Sequence, residues 1–232
     1  MNENEAIEET KCKSIINLVL DNGCNLELDV NKDIAEKIKE LNNIKVEDIT
    51  LNLSKVEDVY RYLVFSDKTR LYKKELERYM NIFKKSNYKD RSAEDDKEYK
   101  TIVLLLESPH SNEYDLNGYA IAPAQGETGR LIDINLLSML KDLSELDRNL
   151  FLNETYKYKL IIANPIQYQT SLYMYNNNIL KGEYKTLRNK CWRKTWEEKK
   201  IKDDFGERMK AYKPSLIINA CTSDLQKKLQ IF

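Results

Sequence analysis

The chain has 232 residues, of which 33% are charged and 41% hydrophobic, and its formal net charge is zero. A chain of this length can bury a full core, so one domain with an N-terminal extension is the natural starting expectation. No apolar run approaches the roughly 18 residues of a membrane span, and the acidic stretch Met1 to Thr10 is unlike a signal peptide. These features predict a cytoplasmic protein without a membrane partner.

Charge is distributed unevenly along the chain. Met1 to Tyr60 carries 14 acidic and 7 basic residues, whereas Tyr156 to Lys202 carries 11 basic and 3 acidic residues. Clustered Lys and Arg could follow a phosphate backbone, because neutralised phosphates release their counterions. A solvated helix face explains the same composition, and both interpretations stay open.

The cysteines do not form a recognisable metal or disulfide pattern. Cys12, Cys24, Cys191 and Cys221 contain no Cys-x-x-Cys pair and are too few for a disulfide scaffold. We therefore expect reduced, mostly buried thiols, and we predict neither a metal site nor a cofactor.

The sequence predicts a mainly helical N-terminal region over residues 1–98. Ser14 to Val30 contains two apolar segments around Asn22-Gly23 and suggests a hairpin, and Asp33 to Leu41 has helical spacing. Ser54 followed by Glu57 is a capping-box pattern, which predicts a second helix.

Two further segments complete this region. Thr69 is expected to open a third helix, with Leu71, Leu76, Met80 and Phe83 facing inward. The charged segment Lys84 to Lys100 is typical of an exposed connection.

Residues 99–232 show the alternation of an α/β domain. Three apolar runs predict strands, at Ile102 to Leu106, Lys159 to Ala163 and Ser215 to Asn219. A helical pattern from Thr128 to Leu143 lies between the first two. Strands that alternate with helices predict a central, mostly parallel sheet.

Polar chemistry begins where the first of these strands ends. Glu107, Ser108 and His110 follow the apolar run at once, and ligands of open α/β sheets bind beyond the carboxyl ends of the strands. Glu107 is the first candidate for activating water, Ser108 is an auxiliary, and His110 could contact a phosphate or a leaving group. A carboxylate that is satisfied by the amides of the next turn remains the structural alternative for Glu107.

Two more stretches offer polar or backbone groups. Gly126, Thr128 and Gly129 precede or open the predicted helix, where exposed amides can hold an anion such as a DNA phosphate. Asn164 closes the second strand, and Gln167 follows it at the same rim. A tight turn, a helix cap and a strand-to-loop turn are the structural explanations of the same residues.

A set of residues resembles the first motif of the uracil-DNA glycosylase superfamily, in the branch with Gly-Glu-Ala-Pro-Gly. The matching residues, in order, are Glu107, Pro109, Glu113, Pro123, Gly126 and Gly129. The resemblance implies an α/β three-layer sandwich over residues 99–232, with a base-reading role for Asn164 and water positioning at Ser108. Ala124 takes the place of the aromatic residue that stacks on the flipped base, and either Tyr119 or Tyr114 could supply that aromatic ring instead. The iron–sulfur cluster of that branch is not supported by the cysteine spacing.

Three hypotheses follow for function. The first is a DNA glycosylase-like protein that hydrolyses the N-glycosidic bond of a flipped uracil or modified base. The second is a catalytically inactive module of the same fold that binds DNA or nucleotides, with phage defence as a suitable role; the lack of the family's His-Pro-Ser favours it. The third is an unrelated Rossmann-like nucleotide hydrolase or transferase.

Overall fold

The computed structural model describes residues 13–67, 71–75, 99–146, 155–172 and 181–222. These residues form a three-stranded sheet and a five-stranded sheet, together with four α-helices. The chain is therefore an α/β protein, as the sequence predicts. No helix within these ranges combines the length and the apolar character needed to cross a membrane.

The small sheet contains the predicted hairpin. Strands β1 (Lys13–Leu20) and β2 (Asn25–Asn31) pair antiparallel, and Gly23 adopts a positive φ of 83° in the turn between them. Strand β3 (Ile49–Leu53) pairs parallel with β1. Buried and exposed residues alternate along β2 and β3, so one face of this sheet supplies core side chains.

The predicted first helix is also confirmed. Helix α1 spans Lys32–Leu41, and the side chain of Asn31 caps it by accepting a hydrogen bond of 2.8 Å from the amide of Asp33. This is the usual way in which an Asn side chain satisfies one of the free amides at a helix start.

For the described residues before 99, the prediction of a mainly helical region is wrong, because they form five strands and one helix. Residues 54–58 form a loop, and strands β4 (Val59–Asp67) and β5 (Leu71–Glu75) occupy much of the segment that the sequence assigned to helices. The apolar spacing fits a helix, but the run from Val59 to Phe65 is rich in β-branched and aromatic residues, which favour strands. Pairing with a core strand along its whole length then decides the outcome. Thr69, Leu76, Met80 and Phe83 lie outside the described residues, as does most of the predicted connection.

The large sheet is mixed. Strands β6 (Lys100–Leu105), β7 (Thr155–Ala163) and β8 (Leu216–Asn219) confirm the three predicted strands, and the order is β5-β4-β7-β6-β8. β6 pairs parallel with β7 and β8, whereas β4 pairs antiparallel with β7 and β5. The mostly parallel sheet is thus not found, because β4 and β5 come from residues before 99 and complete the same sheet.

Helices cover both faces of the large sheet. Helix α2 (Glu127–Leu146) buries Leu136 and Leu140 against the face that carries Ile102 and Leu104. Helices α3 (Lys181–Glu197) and α4 (Lys199–Tyr212) follow β7, and α4 packs on the opposite face. Three of its buried residues, Phe205, Met209 and Tyr212, meet the strand residues Val103, Leu105, Ile161 and Ala163. The central strands are therefore buried on both faces, as their continuous apolar runs predict.

Helix α3 joins the two sheets. Its residues Leu187, Cys191 and Trp192 belong to the core of the small sheet. Trp196 packs against that core and also against the cluster around α4. The small sheet is thereby packed close to the carboxyl ends of β6 and β7.

Candidate functional site

The carboxyl ends of β6, β7 and β8 meet at one edge of the large sheet, and β4 begins there. The amide of Leu106 donates to the carbonyl of Ala163 at 2.9 Å, so β6 and β7 remain paired up to the point where each strand ends. Residues 107–110 follow β6 and residues 164–171 follow β7. The structure thus brings the two predicted polar segments together, at the edge where α/β sheets bind ligands.

Glu107 is held by groups from two other parts of the chain. Arg188 of α3 places its Nε 3.2 Å from Oε1, and the hydroxyl of Thr222 donates to Oε2 at 2.8 Å. The indole of Trp192 donates to the backbone carbonyl of Glu107 at 3.0 Å. Both carboxylate oxygens therefore have partners, and these come from side chains rather than from the amides of the next turn.

Ser108 and His110 point to different partners. The hydroxyl of Ser108 lies 2.7 Å from that of Thr170, which links the two strand-end segments directly. The Nδ1 atom of His110 accepts the amide of Asn112 at 3.1 Å and caps the short 3-10 turn Ser111–Glu113. Partial burial lowers the pKa of His110, so the imidazole is neutral at neutral pH. Its ring is thus part of the local turn.

Asn164 is fully buried at this edge, and its backbone and its side chain differ in their contacts. Its backbone amide donates to Asp58 at 3.2 Å, and its carbonyl accepts from Arg208 at 3.2 Å. Neither Nδ2 nor Oδ1 has a hydrogen-bond partner among the described residues. A buried amide left unpaired costs about 1–3 kcal/mol, so this position carries a donor and an acceptor that folding does not use.

A buried ionic cluster packs against the segment that contains Asn164. Asp58 accepts from Gln167 at 2.9 Å and from the hydroxyl of Tyr212 at 2.9 Å, and it forms an ion pair with Arg208. Arg208 also bonds Asp204 at 2.7 Å. Gln167 is therefore directed inward to Asp58, not outward to a phosphate at the rim.

The turn before α2 is fixed by two other buried groups. Ala124 has a positive φ of 59°, and its amide donates to Oε1 of Glu113 at 2.6 Å. Arg61 of β4 donates to the carbonyl of Ala124 at 2.6 Å. Gly129 allows this arrangement, because a Cβ there would lie 1.8 Å from the same carbonyl oxygen. The glycine is needed for close packing of the turn against the helix.

Glu113 is the most perturbed acid of the site. Burial raises its pKa to about 7, although the hydrogen bonds from the backbone and the charge of Arg61 act in the opposite direction. Its Oε2 atom is buried without a hydrogen-bond partner in the described structure. A carboxyl group with this pKa exchanges its proton in the neutral range, which is the property expected of an acid or base at a functional site.

The remaining predicted residues lie apart from the strand ends. Tyr119 is exposed on a small hairpin, where its amide donates to Asp115 at 2.9 Å. Ala124 is buried and its backbone groups are bonded, so it offers no surface for a stacked base. Thr128 is exposed in the first turn of α2, and Gly126 packs against the side chain of Asn112.

Sequence reasoning missed most of the charged residues that organise this edge. Asp58 and Arg61 lie in the segment assigned to a helix. Arg188 and Arg208 lie on helices with many other basic residues, and the sequence does not distinguish them from those neighbours. Glu113 alone had a signal, because it occupies the acidic position of the motif. The other four show themselves only through burial and contacts in the folded chain.

The described cysteines form no disulfide. Cys24, Cys191 and Cys221 are buried thiols, and burial raises the pKa of Cys191 and of Cys221 to about 12. Within the described ranges, no group of three or more His, Cys, Asp or Glu side chains could hold a metal ion.

Comparison with known proteins adds no relative to this picture. The chain matches no protein-family model, no curated protein and no solved structure.

Proposed function

We propose that the protein is a divergent, uracil-DNA glycosylase-like enzyme that takes an unpaired nucleobase into the carboxyl edge of the large sheet. The observation that carries the proposal is the buried side chain of Asn164, whose donor and acceptor have no partner in the described structure. A neighbouring donor and acceptor are what the edge of a base requires. The strand-end motif around Glu107 and the α/β/α layering agree with this family.

The reaction would be hydrolysis of the N-glycosidic bond. A water oxygen forms a bond to the sugar C1′, the C1′–N bond breaks, and its electron pair leaves with the base nitrogen. Glu107 takes a proton from the attacking water, and a proton from solvent neutralises the departing base. Ser108 lies beside Glu107 in the chain and is linked to the Asn164 segment through Thr170, so it can help orient the water.

The phosphate backbone would be held by the basic side of α3. Exposed basic residues on this helix include Lys185, Lys190, Arg193 and Lys194. Such a cluster attracts DNA without reading its sequence, and the resulting affinity falls as salt is raised. Action on DNA fits a cytoplasmic protein.

The test is an assay for abasic sites. Purified protein is incubated with single- and double-stranded oligonucleotides that carry uracil, hypoxanthine, hydroxymethylated or unmodified bases. Release should disappear in Glu107→Gln and Asn164→Ala, whereas Asn52→Ala, an exposed asparagine on β3, should retain it. Release that survives both site variants would place the reaction elsewhere and refute the proposal.

A second function, base or nucleotide binding without hydrolysis, is favoured by the contacts of Glu107. Arg188 and Thr222 occupy both of its oxygens, which leaves the carboxylate less available to take a proton. Salt-sensitive DNA binding without release from any oligonucleotide would support this alternative, and phage defence would then be a suitable setting. Nucleotide binding without DNA binding would point to the Rossmann-like possibility.

A further inference from the structure

The guanidinium of Arg188 is only partly used by the fold. Its Nε and Nη2 atoms donate to Oδ1 of Asn189 at 3.2 and 2.9 Å, and Nε also lies 3.2 Å from Oε1 of Glu107. Nη1 has no hydrogen-bond partner in the described structure. The side chain is 22% exposed, and none of its atoms is both buried and unpaired, so Nη1 is accessible to solvent.

The bonded edge of this group fixes the direction of its other end. A guanidinium is rigid and planar, so the bonds to the buried Asn189 and the ion pair with Glu107 hold all of its atoms. The N–H groups at the other end, two on Nη1 and one on Nη2, form a fork that can bind two oxygens of one anion. Because Glu107 lies just beyond β6, the fork lies at the carboxyl edge of the large sheet.

The local charge favours an anion despite the carboxylate of Glu107. That carboxylate balances the charge of Arg188, and its second oxygen is held by Thr222 at 2.8 Å. Lys185 is exposed and lies three residues before Arg188 on α3, and residues with this spacing share a helix face. Trp192 lies on the same face and donates to the carbonyl of Glu107, so this face is turned to the strand ends. Two positive charges and one negative charge therefore meet at this edge.

We infer that Arg188 binds the phosphate of the nucleotide whose base enters the site, so that the ligand is a phosphate-bearing nucleotide and not a nucleoside or a free base. The inference rests on the proposed function in so far as that function places a nucleotide at this edge, and it adds the class of substrate. Phosphate is the anionic group of a nucleotide, and it matches the fork of a guanidinium with two oxygens.

The first experiment needs no variant. Calorimetry at constant ionic strength compares the 3′- and 5′-monophosphates of deoxyuridine and of the four common deoxynucleosides with the unphosphorylated nucleosides. At least one monophosphate should bind at least about tenfold more tightly than its nucleoside, because hydrogen bonds between charged groups are strong. Equal binding of the two forms across the whole panel would overturn the inference.

Variants then assign the contact to Arg188. Arg188→Gln should remove the preference for the monophosphate, and Arg188→Lys should restore only part of it, because an ammonium keeps the charge without the fork. Arg130→Gln, at an exposed position on α2, should leave the preference unchanged. A preference that survives in Arg188→Gln would overturn the inference. Should this variant fail to fold, the wild-type comparison still decides.

Oligonucleotides separate this inference from the proposed hydrolysis. The logarithm of the binding constant falls linearly with the logarithm of the salt concentration, and loss of one phosphate contact in Arg188→Gln should reduce the slope by about 1. A reduced slope without base release from any oligonucleotide would support the inference and refute hydrolysis, whereas base release with an unchanged slope would do the reverse. Absence of nucleotide binding, DNA binding and base release would refute both.

Discussion

Gly129 is the position where one added methyl group should disturb the site most. It lies in the first turn of α2, and a Cβ there would lie 1.8 Å from the carbonyl oxygen of Ala124 and 2.8 Å from its carbonyl carbon. Both atoms belong to the backbone, so no side chain can rotate away. The turn itself must retreat by more than about 1 Å to restore a normal separation.

The expected loss of stability in Gly129→Ala has two parts. Overpacking of a tight contact costs about 1–3 kcal/mol. Retreat of the turn also strains the 2.6 Å bond from Arg61 to the carbonyl of Ala124, and a bond to a charged group is worth about 1.5–3 kcal/mol. Because the bond from Arg61 is strained rather than lost, only part of its value is added. We therefore expect a total loss of stability of about 3 kcal/mol. At roughly 2–4 °C per kcal/mol, the melting temperature should fall by about 6–12 °C.

Gly206→Ala is the matched control. Gly206 lies inside α4, and an added Cβ there meets no atom within 4 Å. The same substitution should stabilise the protein by about 0.5–1 kcal/mol, because alanine favours the helix. Urea unfolding followed by circular dichroism measures both variants. A Gly129→Ala protein as stable as wild type would show that the turn and the helix are not in the contact described.

Three other substitutions test the buried groups. Asn164→Leu should raise the free energy of unfolding by about 1–3 kcal/mol, because it removes two unpaired polar atoms, while base binding is lost. Asp58→Asn should lower it by about 3 kcal/mol, because Arg208 then keeps only the partly exposed Asp204 as a charged partner. Glu113→Gln should remove a pH dependence of the free energy of unfolding. The pKa of Glu113 in the folded protein, about 7, lies above the ordinary value of 4.5. Its contribution to stability is therefore full below about pH 4.5 and is lost as pH rises through about 7. Chemical unfolding measures all three, at about pH 5 and pH 8 for the last.

Controls and contrary outcomes follow from the same contacts. Asp204→Asn should cost less than Asp58→Asn, because Asp204 is partly exposed, and equal losses would contradict a special role for the Asp58 pair. Glu47→Gln, at an exposed position, should leave the pH profile unchanged. A destabilised Asn164→Leu would mean that the amide contributes to folding, which would remove the main support for base recognition.

The strand-end positions could be predicted from the sequence because they depend on local patterns. The apolar run Ile102 to Leu106 ends at Glu107, and a second apolar run ends at Asn164. Parallel pairing of these strands places both ends at one edge of a sheet. The requirement for glycine at position 129 could also be predicted, since two backbone segments approach closely there.

The partners of those residues could not be predicted in the same way. Arg188 lies 81 positions after Glu107, and Arg208 lies 150 positions after Asp58. Nothing in the sequence marks Arg188 and Arg208, among 38 Lys and Arg residues, as side chains that turn inward. The error over β4 has the same origin, because its helical spacing was real and only pairing with β7 made it a strand.

These buried contacts connect stability with the proposed site. Asp58 belongs to the segment that the sequence assigned to a separate N-terminal helix, yet it contacts Asn164 and Gln167 directly. Its bonds use the backbone amide of Asn164 and the side-chain nitrogen of Gln167, and so leave the side-chain oxygens of both residues for another partner. The ionic cluster thus stabilises a conformation of the segment in which these side-chain oxygens have no hydrogen-bond partner in the described structure. A site held in this way loses binding when its supporting charges are removed, even though none of them would contact the base.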